Sequence, residues 1–585
     1  MEKATAMDAM EKALNLPELL TCIGRYLGDK RTIITCLCVC KQWKLQFEPL
    51  LWRNFEVGSS EDLDDLHPST ELMERNAPFI RSLTLNVHEI APESHATFYS
   101  NCMQLEDLFI HVNPVYVNVP LKWTFMANII RNLPRLRTIR INHRGGEPSH
   151  DFFEAIADCP TIVVLETYGY QFQAKDAEVY FRASATHMKR LSTTHEHFEN
   201  VSKLPDGLMF QEVRYLDLKD VSGLSFDVQL DWIRRCPNLI ALRLQDTRDL
   251  SPTQFCQIIP AACPHLTALH LDTDYITDEE IAKILYAIPR IEKLNMSRTS
   301  FGDKSMKALR KNFSWLKDLN LQYCHGFTGD LIHEALCSCP NLQSISGDML
   351  DYEDISPASW VCNGLQMFDV GLTLTNTIEE KGMKGYRGSL SKEERLLVDK
   401  RSKSVKLFQR LGQLTGLQFL SIGVVDDYEL EDSDVPILDT DFALDYLTGL
   451  RHIKYFSCKG LFDHRSDREV EEAVRWMLKH WPKLETLEAR IVSDMTGIGR
   501  DTEEGSGGRQ RAKELLRERG IDVEEYEGKE FDADYEYDEY EDDDDLYYGD
   551  EGDGFTDLED DGYDYDEDED DLEDLAFYMH QHTFD

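Results

Sequence analysis

The sequence predicts an α/β fold in which a short strand, a turn and a helix are repeated many times and stacked into a solenoid. Segments of the form Leu-x-x-Leu-x-Leu recur every 25 to 27 residues from position 136 to position 342. One such unit leaves its apolar face in water, so several units must stack to bury it. We therefore expect parallel strands on the concave side and helices on the convex side.

Composition limits the class of protein. The chain has 585 residues and a formal net charge of −46, but residues 524–574 hold 30 acidic side chains and one Lys. The remainder therefore carries only −17. No run approaches the roughly 18 apolar residues that cross a bilayer, and no signal-peptide core is visible. We expect a soluble intracellular protein, in the cytoplasm and/or the nucleus, whose fourteen cysteines stay reduced.

Residues 14–56 predict a module of three short helices. Pro17 has a φ angle that suits the first turn of a helix, and apolar residues then follow on one face. A second helix, capped by Asp29, would carry an apolar stripe of Ile33, Cys36, Leu37, Cys40 and Trp43. A third helix is expected after Pro49. Three helices of this length cannot bury all their apolar surface among themselves, so part of it is available to a partner or to the first repeat.

The order of these residues resembles the F-box of F-box and leucine-rich-repeat proteins. The resemblance rests on Leu16-Pro17, on Val39-Cys40-Lys41-Gln42-Trp43 and on Pro49-Leu50-Leu51-Trp52. In that family the module binds the adaptor subunit that links it to the cullin of a ubiquitin ligase. Carried over by position, the expected adaptor contacts are Leu16, Pro17, Leu19, Leu20, Ile23, Val39 and Trp43. Trp52 is expected to pack the module onto the segment that follows.

The repeats form the central part of the chain. The clearest units begin at Leu136, Val213, Leu239, Leu266, Ile291, Leu316 and Leu342, and weaker units begin at Ile80, Leu105, Ile162, Met188, Leu365, Leu417, Leu450 and Leu484. Cys159, Cys236, Cys263 and Cys339 each precede a Pro, which resembles the cysteine-containing subclass of leucine-rich repeats. The expected divisions are a linker at 57–79, a solenoid at 80–526 with an insertion at about 373–412, and a disordered acidic tail at 527–585.

Outward positions of the strands are the candidate client-binding surface. The third and fifth residues of each Leu-x-x-Leu-x-Leu segment face away from the core. They include Arg140, Tyr215, Asp217, Arg243, His270, Lys293, Asn295, Asn320, His452 and Lys454. Mixed charges with aromatic and amide groups favour a protein client over nucleic acid, whose phosphates select cations. For any single residue, a merely solvated sheet face remains the alternative.

Each of two charged segments allows two interpretations of its role. Residues 380–410 contain ten Lys or Arg against four acidic residues, which suits either a basic arm near the client surface or a solvated spacer. The tail from Glu524 to Asp574 is Asp and Glu interrupted by eight Tyr. Such a segment cannot pack a core, and it acts either as a solubilising tail or as an interaction tail for basic proteins.

No motif in the chain predicts catalysis, a cofactor or a metal site. Cys38 points about 200° away from Cys36 and Cys40 on a helix, so the three thiols cannot reach one ion. His195 and His197 flank Glu196 without a third ligand. We therefore expect a non-catalytic chain, and the resemblance to F-box proteins implies a client receptor of a cullin-type ubiquitin ligase. The alternatives are a leucine-rich-repeat scaffold or acidic chaperone for basic partners and, last, an enzyme whose site has no recognisable motif.

Overall fold

The computed structural model shows an α/β solenoid preceded by a three-helix module. It describes residues 16–24, 26–27, 30–57, 69–86, 96–112, 123–143, 150–245, 250–273, 275–325, 329–352, 355, 358–374, 392–422, 444–458, 466–489 and 507–524. Residues 1–528 form one compact unit. The acidic tail predicted for 527–585 and the cap predicted at Asp29 lie outside the described residues.

Strands of the described chain pair in parallel and in chain order, as the repeat pattern predicts. Seventeen of them form one sheet, whereas β6 and β8 pair only with each other. The strands are β1 (Asn54–Val57), β2 (Ser82–Asn86), β3 (Asp107–Val112), β4 (Thr138–His143), β5 (Val164–Tyr168), β6 (Gln171–Gln173), β7 (Arg190–Thr194), β8 (His197–Glu199), β9 (Tyr215–Lys219), β10 (Ala241–Gln245), β11 (Ala268–Asp272), β12 (Lys293–Asn295), β13 (Asp318–Leu321), β14 (Ser344–Asp351), β15 (Met367–Thr373), β16 (Phe419–Ser421), β17 (Tyr455–Ser457), β18 (Thr486–Glu488) and β19 (Asp522–Glu524).

Helices connect most of the strands, and those of the array pack their apolar sides on the sheet. The helices are α1 (Pro17–Gly24), α2 (Lys30–Leu37), α3 (Lys41–Leu51), α4 (Thr70–Asn76), α5 (Ala96–Asn101), α6 (Trp123–Arg131), α7 (His150–Asp158), α8 (Ala174–Ser184), α9 (Phe226–Arg234), α10 (Pro252–Ala262), α11 (Asp278–Ala287), α12 (Asp303–Leu309), α13 (Gly329–Ser338), α14 (Lys392–Leu411), α15 (Asp467–His480) and α16 (Gly507–Glu518). One large core cluster runs from Val57 to Ile521.

The leucine positions confirm the predicted register of every repeat except one. Leu239, Leu242 and Leu244, for example, are all buried, and the same holds for the three apolar positions of the other clear units. The unit placed at Leu450 is wrong by three residues. Ile453, Phe456 and Cys458 fill its buried positions, because Leu450 belongs to the preceding turn.

The N-terminal helices differ from the sequence prediction in their boundaries. Helix α2 ends at Leu37, and Cys40 is the N-cap of α3, so Cys40 and Trp43 do not continue the second helix. Pro49 lies inside the last turn of α3 rather than before a third helix. A proline there removes one intrahelical hydrogen bond, and the good helix formers of the preceding two turns outweigh that loss.

The sheet begins before the predicted start of the solenoid at residue 80. Strand β1 pairs along its whole length with β2, and its Phe55 and Val57 pack on the large core. Helix α4, inside the segment 57–79, connects the two strands. Strand β1 escaped detection because it contains no Leu-x-x-Leu-x-Leu segment.

The unit between β7 and β9 has no helix. Between β7 and β9 the chain forms β8 and then an irregular segment, 200–214. Pro205 and Gly207, which has a φ of +74°, disfavour a helix there. The guanidinium of Arg235, after α9, donates to the carbonyl oxygens of Pro205 (2.6 Å) and Leu208 (3.3 Å) and holds the segment in place. A cleft of about 720 Å³ lies between this segment and α8.

Aromatic rings fill the sheet side of the helix-less unit. Phe198 stacks on Phe172 (4.9 Å between ring centroids) and on Phe181 (5.6 Å). Trp232 of α9 meets Phe181 edge-on at 4.9 Å. Through these contacts the apolar core continues past the unit that lacks its own helix.

The predicted insertion contributes a repeat helix rather than only an arm. Helix α14 occupies 392–411, and its Leu407, Phe408 and Leu411 are fully buried in the large core. Residues 375–391, the remainder of the insertion before the helix, lie outside the described residues. The C-terminal part of the basic segment therefore belongs to the solenoid wall.

A helix and a short strand close the C-terminal end of the described array. Helix α16 ends shortly before Gly520, which has a φ of +70° and suits the left-handed position after a helix. Strand β19 then pairs with β18 as the last described strand of the sheet.

Asp278 connects two neighbouring units through the start of α12. Its carboxylate accepts backbone N–H bonds from Gly302 (3.0 Å), Lys304 (2.9 Å) and Ser305 (2.9 Å). These amides have no partner within α12 because they belong to its first turn. In its own unit Asp278 is the first residue of α11, whose start is closed by a capping box in which Thr277 and Glu280 exchange hydrogen bonds.

We expect Asp278→Ala to lower the free energy of unfolding by about 1 to 2 kcal/mol, since it leaves the first turn of α12 uncapped. Burial opposes ionisation of Asp278, but the hydrogen bonds from Ser305, Lys304 and Gly302 outweigh it and lower the pKa of this carboxyl. The contribution is therefore complete above about pH 4 and is lost as the pH falls through the lowered pKa.

Urea unfolding of the unaltered chain and of Asp278→Ala, each at pH 7 and pH 3, measures this loss of unfolding free energy. The neighbouring Glu279→Gln is the matched control, because Glu279 is fully exposed and its contact with Lys304 is a surface ion pair. Equal losses for the two variants at pH 7 would contradict the role given to Asp278.

Candidate functional site

The N-terminal module has a small core of its own. Leu20, Ile33 and Phe47, one from each of α1, α2 and α3, are buried together and separate from the large core. Trp43 packs on Phe47 with 5.4 Å between the rings. At Gly24 a Cβ atom would stand 2.4 Å from a terminal methyl group of Leu50, so a larger residue there requires the Leu50 side chain to shift. Helices α1 and α3 therefore pack closely at this point.

Exposed apolar side chains are concentrated on this module. Of the fourteen large apolar residues exposed in the described chain, six lie between positions 16 and 45. They are Leu16, Leu19, Tyr26, Ile34, Val39 and Leu45, with exposed fractions from 44% to 89%. Single exposed apolar residues are common, but such a concentration on one small module marks an interaction surface. We call these six residues the apolar surface of the module.

The predicted adaptor contacts divide into three groups. Leu16, Pro17, Leu19 and Val39 are exposed, and Ile23 and Trp43 are half-buried against the small core. Leu20 is fully buried, so its side chain cannot touch a partner, and the prediction of a contact is wrong for this residue. Neighbouring leucines on a helix point about 100° apart, which separates Leu19 from Leu20.

Sequence reasoning missed three members of the apolar surface. Tyr26, Ile34 and Leu45 are exposed but were not among the expected contacts. Ile34 follows the buried Ile33 on α2, as Leu19 precedes the buried Leu20 on α1. The sequence does show that Ile34 and Leu19 lie beside the predicted apolar stripes of their helices. Only the packing of the helices shows which side of each stripe is covered.

Trp52 connects the module to the array, as predicted. Its ring lies 5.1 Å from that of Phe55 on β1, and Phe55 contacts Phe98 of α5 at 6.0 Å. Arg75 of α4 also reaches Glu48 of α3 at 3.3 Å. The apolar surface of the module is therefore presented by a body that is anchored on the first repeats.

Strand register places most of the predicted client residues in two rows on the sheet. The first row contains Tyr215 and Lys293, and the second contains Arg140, Asp217, Arg243, His270, Asn295 and Asn320. The other two predicted residues, His452 and Lys454, are not in these rows. They stand in the turn before β17, because the repeat there begins at Ile453, and Tyr455 and Ser457 take the row positions.

Ion pairs between neighbouring strands hold basic side chains in the first half of the sheet. Glu166 accepts from Arg140 (2.7 Å) and Arg190 (3.2 Å), and Lys293 contacts Asp318 at 2.9 Å. Burial, together with Arg243 and Lys219, lowers the pKa of His270 well below its ordinary value. His270 is therefore neutral at physiological pH, and this half of the sheet carries both signs of charge.

The residues around Glu196 form a structural turn. His195 bonds Asp220 (2.7 Å), His197 bonds Ser222 (3.0 Å), and the buried Glu196 accepts the backbone N–H of Tyr170 (3.0 Å). Among the described residues, no group of three or more His, Cys, Asp or Glu side chains is placed to hold a metal ion. Within the same residues, no helix has the length and apolar character needed to cross a bilayer.

No family model matches the chain. Its fold is similar to that of solved leucine-rich-repeat structures. These include yeast Rad7 in a complex with Elc1 (11% identity, TM-score 0.31, 88% of this chain and 97% of that chain), an internalin, InlF, from Listeria monocytogenes (10%, 0.33, 68% and 89%), and TLR13 in a complex with ssRNA13 (13%, 0.32, 70% and 46%). The chain thus spans about half the length of TLR13. At these identities and TM-scores the likeness concerns fold alone.

We expect Leu20→Ala and Leu19→Ala to separate the core of the module from its surface. Leu20→Ala removes a fully buried side chain, a loss of about 2 to 5 kcal/mol in an ordinary core, whereas exposed Leu19→Ala changes stability by at most about 0.5 kcal/mol. Peptide-level hydrogen exchange over 16–51 measures this locally. Exchange should accelerate only in Leu20→Ala, and the array should stay unchanged in both variants. Equal acceleration in both would contradict the assignment.

Proposed function

We propose that the chain is the client-recognition subunit of a cullin-RING ubiquitin ligase. In this proposal α1 to α3 bind the adaptor subunit, which is held by a cullin, and the concave sheet binds a protein client. The observation that carries the proposal is the concentration of exposed apolar residues on the module that resembles an F-box. A helical cap that served only the solenoid would bury these side chains against the first repeat.

Helix α1 supplies the clearest contact surface for the adaptor. Leu16, Leu19 and Ile23 recur at i, i+3 and i+7, so they share one face of the helix. The buried face of Leu20 and Gly24 lies next to it. An apolar stripe beside a packed stripe allows a partner helix to extend the small core of the module without rearranging it. Val39, in the turn before α3, adds a second exposed apolar contact.

The chain itself would perform no chemistry in this role. Its contribution is proximity: holding a client on the sheet and the adaptor on the module raises the effective concentration of client lysines at the ubiquitin-conjugating subunits. Aromatic contacts between Trp52, Phe55 and Phe98 hold the two surfaces in one body, so the geometry between them is retained. Such a protein would act in the cytoplasm or the nucleus.

The alternative is a leucine-rich-repeat scaffold or acidic chaperone that has no ligase role. In that case the apolar surface of the module would bind a different partner, or none. The concave sheet would be used in the same way in both cases. Adaptor binding therefore separates the two functions, whereas client binding does not.

We expect the purified chain to bind a recombinant cullin-ligase adaptor, and the double variant Leu19→Ser, Val39→Ser to weaken binding at least about tenfold. Truncating apolar anchors at an interface typically costs 1 to 2 kcal/mol each, and 1.4 kcal/mol is about tenfold in affinity. Isothermal titration calorimetry of the full chain gives the dissociation constants.

The double variant Met103→Ser, Met209→Ser is the matched control. Met103 and Met209 are exposed to a similar extent as Leu19, but they lie on the array. Hydrogen exchange of 16–51 shows whether the module stays folded in each variant. If the unaltered chain does not bind the adaptor, or if both double variants bind it equally, the ligase assignment fails and the scaffold remains.

A further inference from the structure

The concave sheet changes its charge pattern between its two halves. On β13 to β19 the first row consists of Asp318, Ser344, Met367, Phe419, Tyr455, Thr486 and Asp522. The second row consists of Asn320, Ser346, Asp369, Ser421, Ser457, Glu488 and Glu524. Five of these fourteen positions are acidic and none is Lys, Arg or His. On β4 to β12, in contrast, the same rows hold five basic or histidine residues among their acids.

Two aromatic rings form a platform in this acidic half. Phe419 of β16 and Tyr455 of β17 are register partners, and their rings stack with 4.3 Å between centroids and 2° between planes. Both side chains are partly exposed, so the platform faces the space in front of the sheet. Each ring covers one face of the other, so only the outer face of each ring is left as an electron-rich surface.

Carboxylates surround the platform. The hydroxyl of Tyr455 donates to Glu488 at 2.6 Å. Burial, the hydrogen bond to Glu488 and the charges of Glu524 and Asp369 raise the pKa of Tyr455 far above its ordinary value. Negative charge from β15, β18 and β19 therefore converges on one aromatic pair. Asp369 also accepts a hydrogen bond from Gln322 (3.0 Å). Because the rings stack on each other, a cation near this pair meets an outer ring face and the carboxylates.

We propose that the outward face of β13 to β19 binds an extended basic segment of a protein partner, with an Arg or Lys side chain against an outer ring face of the Phe419–Tyr455 pair. The guanidinium group of Arg suits this site better than an ammonium group, because it stacks on rings and bonds carboxylates at the same time. The acidic rows repel phosphates, which opposes a nucleic acid. The inference names the client of the proposed function and rests on the sheet being the client surface, not on adaptor binding.

Sheet geometry sets the length of the bound segment. Strands lie about 4.8 Å apart, so the row from Asp369 on β15 to Glu524 on β19 spans roughly 19 Å. An extended peptide advances about 3.3 Å per residue and would cross this distance in about six residues. Its alternate side chains point to one side, so two or three basic residues at alternate positions can face the sheet.

Fluorescence anisotropy with the full chain tests the proposal. The probes are labelled twelve-residue peptides with Arg, Lys or Glu at alternate positions and Ser elsewhere. The site variant is Asp369→Asn, Glu488→Gln. The control, Glu56→Gln, Asp107→Asn, removes two carboxylates from the same two rows at the other end of the sheet. Both variants change the net charge equally, so only the position of the lost carboxylates differs.

We expect the Arg peptide to bind more tightly than the Lys peptide and the Glu peptide not to bind. The site variant should weaken the Arg peptide about tenfold, since each lost ion pair accounts for a few-fold, whereas the control should change it less than about twofold. Phe419→Leu, which keeps an apolar side chain but removes one ring of the platform, should weaken it about threefold. Thermal unfolding of each variant verifies that the array is intact.

Two results would overturn the proposal. Equal affinities of site variant and control would mean that the basic peptide is captured elsewhere, for example by the acidic segment 524–574. Tight binding of the Glu peptide would reverse the sign of the expected partner. Adaptor titrations on the same preparations keep the two proposals apart: loss of adaptor binding with retained peptide binding rejects the ligase role and leaves this surface in place.

Discussion

Backbone hydrogen bonds between parallel strands join each unit of the array to the next, and this ladder is the constraint on which the rest of the molecule depends. A strand of three to eight residues with one covering helix cannot exclude water from its own apolar face. The chain therefore repeats buried apolar side chains at fixed inward positions. The outward rows differ in residue type from strand to strand, and some of their members, such as Arg243 and His270, are buried as well.

The N-terminal module follows a different principle. Its three helices bury only three apolar side chains completely, which is little for about 35 residues. The array supplies a fixed base through Trp52, but it does not cover the exposed leucines. An incomplete core of this kind gains stability when a second chain covers it, so binding and folding of the module are thermodynamically coupled.

Much of the fold followed from periodicity, and the exceptions have physical reasons. Leucine spacing located the strands from Leu136 to Leu342 because each unit repeats the same burial. Strand β1 was missed because Phe55 and Val57 alternate without a leucine signature. The repeat at β17 was predicted to begin at Leu450, but Leu450 lies in a turn and the repeat begins three residues later, at an isoleucine. Because of this shift, Tyr455 was not predicted to be an outward residue. Adjacent leucines such as Leu19 and Leu20 cannot be assigned to core or surface until the packing of α1 on α3 is known.

The unit between β7 and β9 interrupts the row of helices on the outer side of the array. On the inner side of this unit, the stacked rings of Phe172, Phe181 and Phe198 keep the apolar core continuous. Outside, a cleft separates α8 from the irregular segment that Arg235 holds. A unit without an outer helix places fewer side chains between its neighbours, so the outer layer resists bending less between α8 and α9 than where consecutive helices pack together.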